Sequence, residues 1–67
     1  MRFFINGDQV EVPASVQTVG SLLEHFDIDN KVVIVEHNGN ILSKDTQTEQ
    51  KLEDGDRLEL VHFVGGG

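Results

Sequence analysis

Cysteine is absent from this 67-residue sequence, which excludes disulfides, thiolate metal sites and a thiol nucleophile. Any sulfur chemistry here must use another atom of the chain. Basic residues are scarce, with five Lys and Arg against twelve Asp and Glu and a formal net charge of -7. Neutralising phosphates needs clustered cations, so nucleic acid is not the expected partner. The acidic balance suits steering toward a basic protein surface, and equally suits plain solubility. Long apolar runs are missing as well. The longest, Val32 to Val35, is far too short to cross a bilayer, and Met1-Arg2-Phe3-Phe4-Ile5 does not make a secretory signal. A cytoplasmic protein with no membrane contact is expected.

A chain of this length makes one domain near the lower limit for unaided folding. It buries roughly 60% of the surface its unfolded form exposes, so its stability is modest. Hydrophobic residues form 37% of the sequence and are evenly spread, which argues against disorder.

Arg2 to Val12 has the pattern of a hairpin, with turn chemistry at Asn6-Gly7-Asp8. A two-residue loop at Gly7-Asp8 sets Ile5 opposite Val10 and Phe3 opposite Val12, and this is the expected register. A loop at Asn6-Gly7 pairs Ile5 with Asp8 instead. The single proline, Pro13, cannot donate to a ladder and ends the second strand. Thr18 is the predicted N-cap of a short helix whose Val19, Leu22, Leu23 and Phe26 recur at i, i+3, i+4 and i+7. Gly20 weakens that helix, and Asp27-Ile28-Asp29-Asn30 closes it as a solvated loop.

Lys31 to Asn38 reads as a third strand, with Val33 and Val35 in the core and Ile34 on the outer face. Asn38-Gly39 is a hairpin signal leading to a brief strand at Ile41-Leu42. Ser43 to Lys51 is a polar connection, and Leu52 returns to the core. Asp54-Gly55-Asp56 is a turn rather than a catalytic carboxylate pair. From Arg57 the chain alternates at period two through Leu58 and Leu60, the mark of a strand with one buried face. Three glycines then follow Val64, and nothing among them can pack.

The fold class is α+β: a mixed sheet of four to five strands with one helix packed on one face. The first and last strands are expected side by side and parallel in the middle. With one helix, the other sheet face stays open, and Phe4, Ile34, Val61 and Phe63 are the candidate partner surface there. His25, His37 and His62 lie on separate elements without metal-ligand spacing, and no metal site is expected.

Taken in order, the Asn6-Gly7 hairpin, the helix start Thr18 to Leu23, the strand-turn Val33 to Gly39, the Asp54-Gly55-Asp56 turn and the terminal Val61 to Gly67 resemble the ThiS family. These are ubiquitin-like β-grasp sulfur carriers of thiamine thiazole biosynthesis. The resemblance covers the whole chain and implies one β-grasp domain over residues 1–67, with 64–67 as a flexible tail. It implies a carrier rather than an enzyme. The Gly67 carboxylate would be adenylated by an ATP-using ThiF-type adenylyltransferase. Sulfur from a cysteine desulfurase would convert it to a thiocarboxylate, and a ThiG-type thiazole synthase would take that sulfur. No cofactor is bound by the carrier; ATP and the sulfur donor belong to its partners. Gly65 and Gly66, without side chains, would let the tail enter a narrow cleft. The molybdopterin synthase small subunit and a ubiquitin-like protein modifier share such an end and stay open as alternatives.

Overall fold

Residues 1–62 are described by the structure, a computed structural model. The first two strands, β1 (Arg2–Ile5) and β2 (Asp8–Glu11), pair antiparallel with Ile5 opposite Asp8 and Phe3 opposite Val10. The two-residue loop is therefore Asn6-Gly7 and not Gly7-Asp8. Both loop residues have positive φ, 51° and 86°, the requirement of a type I′ turn, and Asn-Gly meets it most readily. Moving a hairpin loop by one residue changes the pairing by two, an even step. Phe3, Ile5, Val10 and Val12 thus keep a common face, and Asp8 joins them at its exposed rim.

The helix α1 (Val19–His25) starts where the sequence places it. Thr18 Oγ1 accepts from the Ser21 N–H at 3.1 Å while Ser21 Oγ accepts from the Thr18 N–H at 3.0 Å, a reciprocal capping box. Its end is a Schellman turn. Asp27 takes φ 58°, the Ile28 N–H donates to Leu23 O at 2.8 Å, and the Asp27 N–H donates to Glu24 O at 3.1 Å. This early stop overturns one expectation. Val19, Leu22 and Leu23 are buried, but Phe26, the C-cap, is 38% exposed at the end of the stripe.

A 3-10 turn at Asn30–Val32, capped by Asp29, replaces the expected first residues of the third strand. The strand β3 runs Val33–His37, and β4 is only Asn40–Ile41. The connection that follows contains a second 3-10 turn at Gln47–Glu49 and lies along the start of α1. The Val19 N–H donates to Gln50 O and the Leu52 N–H to Gln17 O, so an antiparallel bridge at Thr18 and Lys51 ties the end of this connection to the start of the helix. The last strand, β5 (Arg57–His62), occupies the centre of a five-stranded sheet ordered β2-β1-β5-β3-β4. It runs parallel to β1, as expected, and antiparallel to β3. Phe3, Val19, Leu22, Val33, Val35 and Leu58 form the heart of the core between α1 and the sheet. At roughly 1.5–3 kcal/mol for each large apolar side chain removed from water, this one layer supplies most of what holds the fold.

Candidate functional site

Everything the sequence assigns to chemistry lies at the far end of β5. Phe63, Gly65, Gly66 and Gly67, together with the expected tail 64–67, lie outside the described residues. What the structure does describe is how the strand leading to them is held and what surrounds its end.

On the β3 side the ladder is regular for the whole strand, with Val33 opposite His62, Ile34 opposite Val61 and His37 opposite Leu58. On the β1 side it is short. Only Phe4 opposite Arg57 and Ile5 opposite Leu58 pair there, because β1 ends at Ile5. Asn6 continues the ladder by other means. Its own N–H donates to Leu58 O at 2.9 Å, its Oδ1 accepts from the Leu60 N–H at 2.8 Å, and its Nδ2 donates to Leu60 O at 3.3 Å. A side-chain amide thus stands in for a peptide unit.

The start of β5 is fastened by a second polar cluster. The Asp56 carboxylate accepts from His37 Nε2–H at 2.7 Å, from the Glu53 N–H at 2.9 Å and from Asn38 Nδ2–H at 3.2 Å. Asn38 also accepts from the Arg57 N–H through Oδ1 at 2.9 Å, and Asp54 Oδ1 accepts from the Arg2 N–H at 2.6 Å. Burial pushes the Asp56 carboxyl up, but its bonds to Glu53, His37 and Asn38 more than reverse this and hold it below the ordinary value. The turn reading of Asp54 and Asp56 is right; the anchoring role of His37 and Asn38 is not visible in their spacing.

Of the expected open-face cluster, the structure brings Ile34 and Val61 together as cross-strand partners. Val61 is 56% exposed and Ile34 is half-buried. Phe4 shares the face but not the patch. It lies under the Arg57 guanidinium, whose carbon is 5.3 Å from the ring centre, and Glu59 separates that pair from Val61 along β5. Glu36 opposite Glu59 and the exposed Ile41 opposite Glu36 complete the neighbourhood. Arg2 lies 3.9 Å from Glu11 at the rim.

On the helix side, an open groove of about 600 Å³ runs beside the end of β5. Ile5, Val10, Phe26, Ile28, Leu60 and His62 line it, together with Asn6 and Asp8. The sequence does not suggest it, since its walls come from β1, β2, β5 and the segment after α1, which only the fold brings together. His25 meets the Phe26 ring edge-on at 4.9 Å, while His62 lies in the groove. Among the described residues no three His, Asp or Glu side chains gather at metal-binding distance, and no helix is long and apolar enough to cross a membrane.

Comparison with known proteins agrees with this architecture. The profile of the ThiS family matches residues 2–67. A protein of Bacillus subtilis (strain 168), "Sulfur carrier protein ThiS", is 43% identical over 63 residues, covering 94% of this chain and 96% of its own length. A "Thiazole synthase" of Paramagnetospirillum magneticum is 40% identical over 67 residues; the match takes in 100% of this chain but 20% of that protein. The crystal structure of a thiamine biosynthesis protein (ThiS) from Geobacter metallireducens superposes with a TM-score of 0.82 at 30% identity, covering 100% of both chains. The chain belongs to the ThiS family, the sulfur carriers of thiamine biosynthesis.

Proposed function

We propose that the Gly67 carboxylate is the group on which sulfur is carried, and that residues 1–62 serve to present it. The observation that carries this reading is a ThiS-family match along residues 2–67 together with the central place of β5, the strand that the terminal glycines follow in the chain. An α-carboxylate, with an ordinary pKa of about 3.3–3.7, is ionised at neutral pH and is a poor electrophile. One of its oxygens attacks the α-phosphorus of ATP; a new P–O bond forms, the bond to pyrophosphate breaks, and pyrophosphate leaves. A sulfur nucleophile then adds to the acyl carbon and AMP departs. With a persulfide donor the product is an acyl disulfide. A thiol then attacks the donor's sulfur and the S–S bond breaks. The thiol leaves as a mixed disulfide with the donor, and the carried sulfur remains as a terminal thiocarboxylate. Glycine favours each step because no Cβ shields the carbonyl.

The partners in this cycle are a ThiF-type adenylyltransferase, a cysteine desulfurase and a ThiG-type thiazole synthase. The last is supported by the relative named "Thiazole synthase", a fifth of which matches this chain. ATP supply and reduced sulfur put the cycle in the cytoplasm. Ile34 and Val61, with Phe4 and Phe63, form the face that partners cover, while Gly65 and Gly66 thread into their active sites.

Intact mass tests the reading. Incubation with the adenylyltransferase, ATP and a sulfur donor is expected to raise the mass by about 16 Da, oxygen replaced by sulfur at the acyl carbon. A ladder of lysine-linked adducts without that shift identifies a protein modifier and overturns the carrier.

A further inference from the structure

We propose that Asn6 is a positioning residue for the reactive terminus, acting through Leu60. Beyond Leu58, β5 has no strand beside it on the β1 side, because β1 ends at Ile5. A residue there would leave both its N–H and its C=O without a ladder partner. Asn6 supplies that partner from its side chain, taking the Leu60 N–H on Oδ1 at 2.8 Å and giving Nδ2–H to Leu60 O at 3.3 Å. Leu60 lies two residues before His62, where the described part of β5 ends.

The strand is thus held on both sides almost to His62, where its described part ends. A chain end that must meet an ATP phosphate needs its last fixed residue aimed to within an ångström or so. Asn6 is suited to this by its backbone as much as by its amide. At φ 51° it is the first residue of the type I′ turn, so β1 turns away while its side chain stays level with β5. Asn tolerates that left-handed conformation, and glycine tolerates it too but has no amide to offer. Asn38 is the internal comparison. It too follows β3 as an Asn-Gly turn with φ 48° and grips β5 from the opposite side, but at Arg57, the end remote from the terminus.

The inference rests on the Gly67 reading, and the experiment separates the two. Full-length Asn6→Gly, Asn6→Asp and Asn38→Gly are compared with the parent chain for pyrophosphate release by a ThiF-type adenylyltransferase, with kcat and KM for the carrier resolved. Amide hydrogen exchange and Tm are measured alongside. Asn6→Gly keeps the turn and removes both bonds. Asn6→Asp keeps the acceptor for the Leu60 N–H but sets a carboxylate against Leu60 O, so it reports if the glycine variant fails to fold. For Asn6→Gly, Leu60 amide exchange is expected to quicken by about ten-fold relative to the β3 amides, the loss of one modest hydrogen bond, whereas Asn6→Asp keeps that bond and loses only the one to Leu60 O, so the two variants are told apart by exchange. Their kcat is expected to fall by about ten- to a hundred-fold with KM unchanged, since the docking face is untouched. Asn38→Gly is expected to lower Tm without lowering kcat. An unchanged kcat in the Asn6 variants overturns the inference, as does a loss that tracks Tm equally at Asn6 and Asn38. Absence of activation in the parent chain overturns the Gly67 reading instead.

Discussion

Gly20 shows how a single residue's role changes once its neighbours are known. By intrinsic propensity a glycine inside a helix costs about 1 kcal/mol against alanine, so replacing it should help. In the fold, a Cβ at Gly20 would lie 2.9 Å from the Thr48 carbonyl oxygen and 3.1 Å from Thr48 Cβ. The missing methyl is what lets the 3-10 turn at Gln47–Glu49 rest on α1. Overpacking outweighs propensity here, and Gly20→Ala is expected to destabilise by about 1–3 kcal/mol, read as a lowered urea midpoint with unchanged slope. Asp56 yields a prediction of a different kind. Its folded-state carboxyl is held below the ordinary 3.8 by hydrogen bonds that outweigh burial. A lowered acid contributes stability that is fully present above its unfolded value and is lost as pH falls through the folded one. The Tm of the parent chain should therefore drop on acidification below 3.8 more steeply than that of Asp56→Asn, while at neutral pH the variant is the less stable. An acid limb of equal slope in both proteins would show that the contacts from His37, Asn38 and Glu53 do not act on this carboxylate.

Among the elements, the sheet has a buried side and an open side that substitutions should distinguish. Leu58 faces the core, fully enclosed, and Leu58→Ala is expected to cost about 2–5 kcal/mol. Three residues on, Val61 faces out beside Ile34. Val61→Asp should change stability by no more than about 0.5 kcal/mol, as for other exposed positions, yet weaken adenylyltransferase binding at least ten-fold, measured by calorimetry. Ile34→Asp should do the same with a somewhat larger folding cost, being half-buried; equal losses in folding and binding would place Ile34 in the core.

The strands and the helix cap are legible in the sequence because each follows from a local pattern: period two, period 3.6, or Thr18 ahead of the apolar stripe. The central place of β5 is legible too, from the right-handed crossover through the one helix. The hairpin register is not, for a reason particular to hairpins. Sliding the loop between Asn6-Gly7 and Gly7-Asp8 shifts pairing by two residues, so the apolar pattern fits either, and the tertiary grip of Asn6 on Leu60 fits only one. Gln47 escapes for a similar reason. It is fully buried in a polar stretch, donating to Asn30 Oδ1 at 2.7 Å and to Val33 O at 3.3 Å, partners that only the fold supplies. Phe26 misleads because periodicity does not tell where a helix stops. At the site, the outward set Phe4, Ile34 and Val61 follows from alternation, but the distance between Phe4 and Val61 depends on the offset of parallel strands, which no local pattern records.

Considered as a whole, and on the proposed role of Gly67, the molecule separates the part that folds from the part that reacts. Among the described residues, every member of the buried core lies between Phe3 and Leu58. Gly67 can therefore be removed as a test of reach alone. The shortened chain still ends in a glycine carboxylate with the same intrinsic acidity and the same unhindered carbonyl; only the distance from β5 to the reacting carbon has changed. One extended residue spans roughly 3.3–3.6 Å, several times the misplacement that a near-attack geometry tolerates. Deletion of Gly67 is accordingly expected to leave Tm within about 1 °C, because no apolar area is lost, while reducing the rate of pyrophosphate release by more than about a hundred-fold. Measured together on one preparation, the two numbers separate presentation from folding: a large fall in Tm would mean that the end is part of the packed structure, and a normal rate would mean that the length of the presented end is not what the scaffold controls.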